Sequence, residues 1–462
     1  MCFSFIVILY EKNNTKPLLF WFIITLTFPI IGFSLYLLFG NSLKIKARAQ
    51  IKQKKNKTKI YLRQTDWYKN YKHTNIRGLL GFKRRVFEYI NRNGFNSWKL
   101  NDVRVYTQGE SFVNDLEKDL LNATSSINLQ FYIFADDEVG KRISNVIIKK
   151  AQEGVLVNVL YDSFGSQKTS SSFWNNLESN GVNVVSFFPP YLKFINTKIN
   201  YRNHRKIAII DGKVAYTGGI NIRDDHMGKD PKIFPWRDTQ IRLTGGAVYA
   251  FQDIFLNDYL FASNNKLNSL MTNLYFPKML NYGNDLVQVV CSGPEKDRKY
   301  ILETYQYMIK NSKKNICIET PYFIIDKMIV DELIGAKNRG VNIQIIIPGK
   351  PDKKLVYGMT LHTIKRIVYE DINIYLYDGF IHSKMLIVDN VCSVGTCNFD
   401  NRSFNLNFEN TVFFYDKTVE KMIDIFNEDK NNSEPLTIKK YKKLTKKYKN
   451  YVFFYKFLSK LL

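Results

Sequence analysis

The chain has 462 residues, 45% apolar and 15% aromatic, with 67 Lys and Arg against 42 Asp and Glu, a formal net charge of +25. That length holds two or three domains with ample core, and that apolar content excludes a disordered chain. Five scattered cysteines without a CxxC pair, and five histidines, exclude a disulfide-stapled module and a structural zinc finger, and suit a reducing compartment.

The charge lies in two flanks. Residues 41–100 carry 17 basic and 2 acidic side chains, residues 436–462 carry 9 and none, and residues 101–435 carry 39 of each. A nucleic-acid enzyme keeps its positive charge around its groove, so a neutral middle argues against that partner and for an anionic membrane surface.

In chain order, residues 2–10 are apolar but too few to span a bilayer as a helix. Leu18–Phe39 is 22 residues without a charge, enough to cross ~30 Å of hydrocarbon, and a membrane helix tolerates its Pro29 and Gly32. A signal peptide fits less well, since the run is long and no small-residue cleavage site follows. Lys44, Lys46, Arg48, Lys52, Lys54, Lys55, Lys57 and Lys59 come next, which by the positive-inside rule puts everything downstream on the cytoplasmic side of a cell membrane.

Two α/β halves follow this basic linker, 101–255 and 286–435, joined by a weakly periodic, irregular connection, 256–285. In the first, Ile127–Phe134 predicts a strand, Val139–Gln152 a helix, Gly154 a turn and Val155–Tyr161 a strand. In the second, Ile316–Ile325, Met328–Asn338, Gly340 and Val341–Pro348 repeat that order. Phe131-Tyr132-Ile133-Phe134 answers Pro321-Tyr322-Phe323-Ile324. The tail, 436–462, mixes lysines with Tyr, Phe and Leu and no acid, and predicts an interfacial membrane helix.

Each half also carries one polar motif. His204-x-Lys206 precedes Asp211 and Gly218-Gly219-x-Asn221; His382-x-Lys384 precedes Asp389 and Gly395-Thr396-x-Asn398. Residues i and i+2 of a strand share a face, and the flanks Ile207–Ile210 and Met385–Val388 are buried-strand sequence. A histidine and a lysine on such a strand are costly unless they line a polar site. An imidazole attacks or carries protons near neutral pH, and an ammonium binds anions. Two copies meeting at a pseudo-twofold axis make a phosphate site: one histidine attacks phosphorus, the other protonates the leaving oxygen, and the lysines stabilise equatorial charge, with no metal or cofactor required.

Asp238 and Glu409, in strand-like segments 34 and 27 residues after the two histidines, are expected to orient the imidazoles. Asp211 and Asp389 complete the motif and, standing before turns, read as its structural members. Cys392 and Cys397 read as core residues. His226, after Asp224-Asp225, has no second histidine nearby in sequence to make a metal site; His73 and His362 carry no signal. Lys353-Lys354 are expected at the site mouth, against a lipid headgroup.

The duplicated His-Lys-Asp motif resembles the signature of the phospholipase D superfamily. Trp236-Arg237-Asp238-Thr239, Gly379-Phe380-Ile381-His382, Asn398-Phe399-Asp400-x-Arg402-Ser403-Phe404 and the Phe28-Pro29-x-x-Gly32 membrane run are similar to bacterial cardiolipin synthases over nearly the whole chain. Two departures stand out. That family has two N-terminal membrane helices, of which only the second is intact here. Five residues separate Asp389 from Gly395, against six between Asp211 and Gly218, which predicts a shorter surface turn.

The resemblance implies two phospholipase D-like α/β halves about a pseudo-twofold axis behind a transmembrane helix. It implies His204, Lys206, Asp211, His382, Lys384 and Asp389 as the catalytic set, supported by Asn221, Asn398, Asp238 and Glu409. The implied reaction is ping-pong transfer between two phosphatidylglycerols through a phosphatidyl-histidine, with His204 as nucleophile and His382 as acid and base. Hydrolysis of a phospholipid or nucleic acid shares that intermediate and differs only in the acceptor. A non-catalytic membrane-binding protein has no use for two intact motifs.

Overall fold

The computed structural model describes residues 15–30, 32–33, 36, 50–54, 78–188, 200–264, 272–278 and 282–458. Helix α1 (Thr15–Thr27) covers the first part of the long apolar run. Residues 2–10, the last part of that run and most of the basic linker lie outside the described residues. Among the described residues no helix is long and apolar enough to cross a membrane.

Fifteen strands form one sheet. In the first half they are β1 (Ser97–Tyr106), β2 (Ser126–Phe131), β3 (Leu156–Asp162), β4 (Asn183–Phe187), β5 (Ile207–Ile210), β6 (Val214–Gly218) and β7 (Gln240–Thr244). In the second they are β8 (Asp285–Ser292), β9 (Asn315–Glu319), β10 (Asn342–Pro348), β11 (Asn373–Tyr377), β12 (Met385–Val388), β13 (Val391–Gly395), β14 (Glu409–Phe414) and β15 (Ser433–Pro435). Their order is β15-β11-β10-β9-β12-β13-β14-β8-β1-β7-β6-β5-β2-β3-β4. Outward from the β1–β8 junction the two halves run through equivalent strands, so the repeat seen in the sequence is a pseudo-twofold of the sheet. The halves join antiparallel at that junction, Trp98 opposite Val287.

Helices α2 (Gly81–Arg92), α3 (Gly109–Leu121), α4 (Glu138–Gln152), α5 (Ser171–Ser179), α6 (Val248–Ser263), α7 (Tyr300–Asn311), α8 (Lys327–Asn338), α9 (Lys354–Thr363) and α10 (Lys417–Asn431) cover the faces. Helix α4 starts where the Asp137 side chain accepts from Gly140 N (3.1 Å), buries Val139, Ile143 and Ile147 at helical spacing, and turns out at Gly154, whose φ of 90° favours glycine. The matching helix α8 turns out at Gly340, with φ of 85°.

Strand alternation sorts the core. Ala208 and Ile210 of β5 face an outer cluster under α3 and α4, while Ile207 and Ile209 face a cluster shared by both halves. In β12, Leu386 and Val388 face the second half's outer cluster and Met385 and Ile387 the shared one. The stretch 256–285, expected to be irregular, begins inside α6. That helix buries Phe251, Phe255, Tyr259 and Phe261 around most of its circumference, so its sequence lacks the single apolar stripe that periodicity detects.

The tail is helical, as expected, in α11 (Ile438–Lys447) and α12 (Lys449–Leu458). Two of its tyrosines, however, pack on the protein, while Phe453 stays exposed. Tyr441 and Tyr448 belong to the second half's core. The Tyr441 hydroxyl donates to Leu361 O (3.0 Å), and Tyr448 meets Tyr357 edge to face at 5.2 Å. A Cβ on Gly358 of α9 would lie 2.6 Å from Tyr451 Cβ. The lysines face outward.

Tyr441→Ala should lower unfolding free energy by about 3 kcal/mol, and Tyr441→Phe by about 1 kcal/mol, in chemical denaturation. Equal stability of both variants and the parent would return the tail to a loosely attached end.

Candidate active site

The same excursion occurs twice at the centre of the molecule. Before entering β5 the chain pairs at Asn203 with Phe408 of the other half, and before entering β12 residues 380–381 pair in parallel with 236–237 of the first half. His204, Lys206, His382 and Lys384 lie in these crossing segments, just outside the buried strands that the sequence predicted would carry them. The His204 amide donates to Phe408 O (3.0 Å) and the His382 amide to Arg237 O (2.6 Å). The next residue on each partner segment is an acid, and it reaches the imidazole.

His204 Nδ1 lies 3.0 and 3.2 Å from the two carboxylate oxygens of Glu409. His382 Nδ1 lies 2.6 Å from Asp238 Oδ2. Each acid thus meets the histidine of the opposite half. With Nδ1 held, each Nε2 is the reactive atom.

Glu409 accepts further hydrogen bonds from Thr396 Oγ1 (2.5 Å) and Asn407 Nδ2 (3.2 Å). Asp238 takes the Thr239 amide (2.8 Å). Where the second half has Thr396, the first has Gly219: a Cβ there would fall 2.0 Å from Asp238 Oδ1. This glycine is therefore required by close approach to the acid.

Burial dominates the electrostatics. It drives His204 down to about 4, against the opposing pull of Glu409, and drives His382 well below the ordinary imidazole value, helped by Lys384 and Lys206. Both rings are neutral in the free enzyme at pH 7. Burial pushes Lys206 to about 7 and Lys384 to about 8, Glu409 opposing in the first case and Asp238 in the second. Burial also raises Glu409, but His204 and Lys206 outweigh it and hold that acid below the ordinary carboxylate range. Each lysine Nζ donates to the carbonyl of its own motif histidine, Lys206 to His204 O at 2.7 Å and Lys384 to His382 O. An entering phosphodiester anion relieves this cationic crowding and favours the charged forms of the lysines and of His382, while His204 stays neutral.

His204, His382, Asn221 and Asn398 line one cavity of about 2030 Å³. Asn221 Oδ1 accepts from Ile133 N (3.1 Å), while Asn398 Oδ1 is buried without a protein partner. Lys353 and Lys354 also line this cavity. Tyr132, 5.0 Å edge-on to His204, and Trp236, 5.0 Å from His382, wall the imidazoles; the sequence placed both in repeated or family-like segments but gave them no role.

Asp211 and Asp389, which read as structural from the turns they precede and are counted in the catalytic set by the resemblance, stand at the far ends of β5 and β12. Asp211 accepts from the amides of Thr124, Ser125 and Ser126, and Asp389 from those of Lys313, Lys314 and Asn315, which pins the loops entering β2 and β9. Both take left-handed φ, 52° and 51°. The hairpin turn after β12 has two residues where that after β5 has three, which accounts for the shorter spacing. One expectation changes at His226, which does meet another histidine in space: its ring is 5.1 Å from His382. Ligand atoms of His226, Asp238 and His382 lie within 4.8 Å of one another, the one grouping among the described residues able to hold a metal. Its donors are already engaged, His226 Nδ1 by the Asn221 amide (3.2 Å) and Asp238 Oδ2 by His382. Cys392 and Cys397 are buried core residues.

Two lysine-flanked imidazoles, each on a carboxylate and facing one cavity, define a phosphoryl-transfer site of the phospholipase D class. The comparisons agree. A family model described as cardiolipin synthase, PLD-like domain, matches residues 116–230 and 305–430, and one described as phospholipase D-nuclease N-terminal matches residues 1–41. The chain is 39% identical to the major cardiolipin synthase ClsA of Bacillus subtilis, over 95% of this chain and 92% of that one. It is 36% identical to a cardiolipin synthase of Staphylococcus aureus, over 96% and 91%. The crystal structure of a phosphatidylserine synthase from Haemophilus influenzae shares the fold, with a TM-score of 0.62 at 16% identity over 83% of this chain and 98% of that one. The chain belongs to the bacterial cardiolipin synthase family.

Gly219→Ala should lower kcat by about 10- to 100-fold while the protein stays folded, because it displaces the acid rather than the core. The lysines are charged, and bind an anion, only below their pKa values, and His204 attacks only when neutral. kcat/KM should therefore fall as pH rises through about 7 to 8. A pH–rate profile flat from 6 to 9 would contradict this.

Proposed function

We propose that the chain makes cardiolipin from two phosphatidylglycerols. His204 Nε2 attacks phosphorus of the first lipid as its bond to the glycerol oxygen breaks, and His382 supplies the proton that lets glycerol leave. His382 then takes the proton from a hydroxyl of the second phosphatidylglycerol. That oxygen attacks phosphorus, the P–N bond breaks, and His204 is regenerated. Lys206 and Lys384 neutralise charge on the equatorial oxygens.

The carrying observation is the pair of imidazoles, each anchored at Nδ1 and both lining one cavity. A volume of about 2030 Å³ exceeds what one drug-sized ligand fills and has room for two headgroups. Membrane placement follows from sequence and surface. The charge-free run Leu18–Phe39 supports a membrane anchor, and the outward lysines of α11 suit an anionic leaflet.

Incubation with phosphatidylglycerol and mass analysis of the lipids should give cardiolipin and free glycerol. Phosphatidic acid as the sole product would make the enzyme a hydrolase. His204→Ala and His382→Ala should each lower the rate by about 10³-fold or more. A phosphatidyl adduct should accumulate on His204 in the His382→Ala protein; an adduct on His382 would exchange the two roles.

A further inference from the structure

Beneath each imidazole–carboxylate pair lies a buried ion pair that the chemistry above does not use. Under the first, Arg205 sends one guanidinium nitrogen to Asp258 Oδ2 (2.5 Å), another to Ser292 O (3.1 Å), and its Nε to Glu409 O (3.2 Å). Under the second, Arg237 holds Asp429 with Nε and a terminal nitrogen (2.9 and 2.7 Å), and its other terminal nitrogen donates to Asp238 O and to Thr239 Oγ1 (3.0 Å). Asp258 and Asp429 stand on equivalent helices, α6 and α10. In both halves, then, a guanidinium clamps the backbone carbonyl of the very acid whose carboxylate holds the imidazole.

The two arginines are not equivalent by the repeat. Arg205 follows the motif histidine, where the second half has Ser383; Arg237 precedes the orienting acid, where the second half has Phe408. Arg205 instead lies over the Phe408 ring, 5.6 Å from its centroid. Inheritance from one ancestral half would have placed both cations at one position. Two different positions reach the same carbonyl. The surrounding polar groups correspond as well. Gln130 Nε2 donates to Asp258 (2.6 Å), and at the matching place Glu319 stands against Asp429. Burial, and then the Asp429 charge, hold Glu319 well above the carboxylate range.

We propose that Arg205–Asp258 and Arg237–Asp429 are positioning pairs, the first setting Glu409 for His204 and the second setting Asp238 for His382. A guanidinium suits this task because its planar fork grips a carboxylate and a carbonyl at once, which a lysine ammonium does not do. A shift of about 1 Å in a group that orients a catalytic residue is enough to cost a hundredfold in rate.

The test uses the full chain in mixed detergent micelles with Arg205→Lys, Arg237→Lys, Asp258→Asn and Asp429→Asn, each rate expressed per folded molecule as measured by circular dichroism. On phosphatidylglycerol, kcat should fall about 10- to 100-fold in every variant with KM within about twofold. The second arm is the burst of nitrophenol from phosphatidyl-p-nitrophenol. As His204 bonds to phosphorus, nitrophenolate departs as an anion and needs no proton, so only the nucleophile's positioning matters. Burst rates should therefore recover to within about threefold of the parent in Arg237→Lys and Asp429→Asn, and stay depressed in Arg205→Lys and Asp258→Asn. The burst reads cleavage at phosphorus whatever the acceptor, so it stands even if the lipid product is not cardiolipin. Recovery confined to the Arg205 pair would keep the pairing and exchange the two histidines. Recovery in all four variants, in none, or unchanged kcat per folded molecule would overturn the proposal and leave these ion pairs as core packing.

Discussion

The crossed contact between each imidazole and a carboxylate of the opposite half is the constraint on which the rest of the structure turns. Neither half contains a complete pair, so neither can do the chemistry alone. The antiparallel junction of β1 and β8 and the apolar cluster shared by the two halves therefore decide whether a reactive centre exists at all. The chain enters β5 and β12 by first pairing with the other half, and that detour brings each acid within reach.

Pseudo-symmetry stops at the reacting atoms. One imidazole rests on both oxygens of a glutamate, the other on one oxygen of an aspartate, and their neighbours are Thr396 in one case and Gly219 in the other. The extra methylene of Glu409 and the space kept at Gly219 give the two sides different surroundings. A ping-pong reaction needs such inequality, because one histidine must bond to phosphorus while the other only handles protons. Burial adds the electrostatic condition: a neutral nucleophile and weakly charged lysines in the empty cavity, whose charge returns when a phosphodiester arrives.

Much of this was legible in the sequence, and the reason is physical. Short apolar runs such as Ile207–Ile210 and turn glycines are local, so the repeated strand–helix–strand order and both motifs could be read directly. Asp238 and Glu409 are legible because an attacking imidazole needs a partner and these acids stand at comparable distances, 34 and 27 residues, after the two histidines. What sequence order does not encode is which acid crosses to which imidazole, since that depends on the docking of the halves. His226 was discounted for lack of a neighbouring histidine, yet folding brings it to His382. The tail's lysines and aromatics read as a membrane helix; composition alone does not distinguish an apolar stripe that meets lipid from one that meets α9. Helix α6, apolar nearly all round, hid in a stretch without periodicity.

The aspartate of the motif has a consequence for anyone comparing genomes. Its carboxylate gathers three successive amides at the end of the sheet remote from the cavity, so its job is done whether or not a lipid is ever cleaved. The histidine and the aspartate of one short signature thus report separate things, a reaction and a hairpin. A descendant that abandons catalysis can discard the first and must keep the second to remain folded. In such a lineage, the aspartate left behind marks ancestry rather than activity.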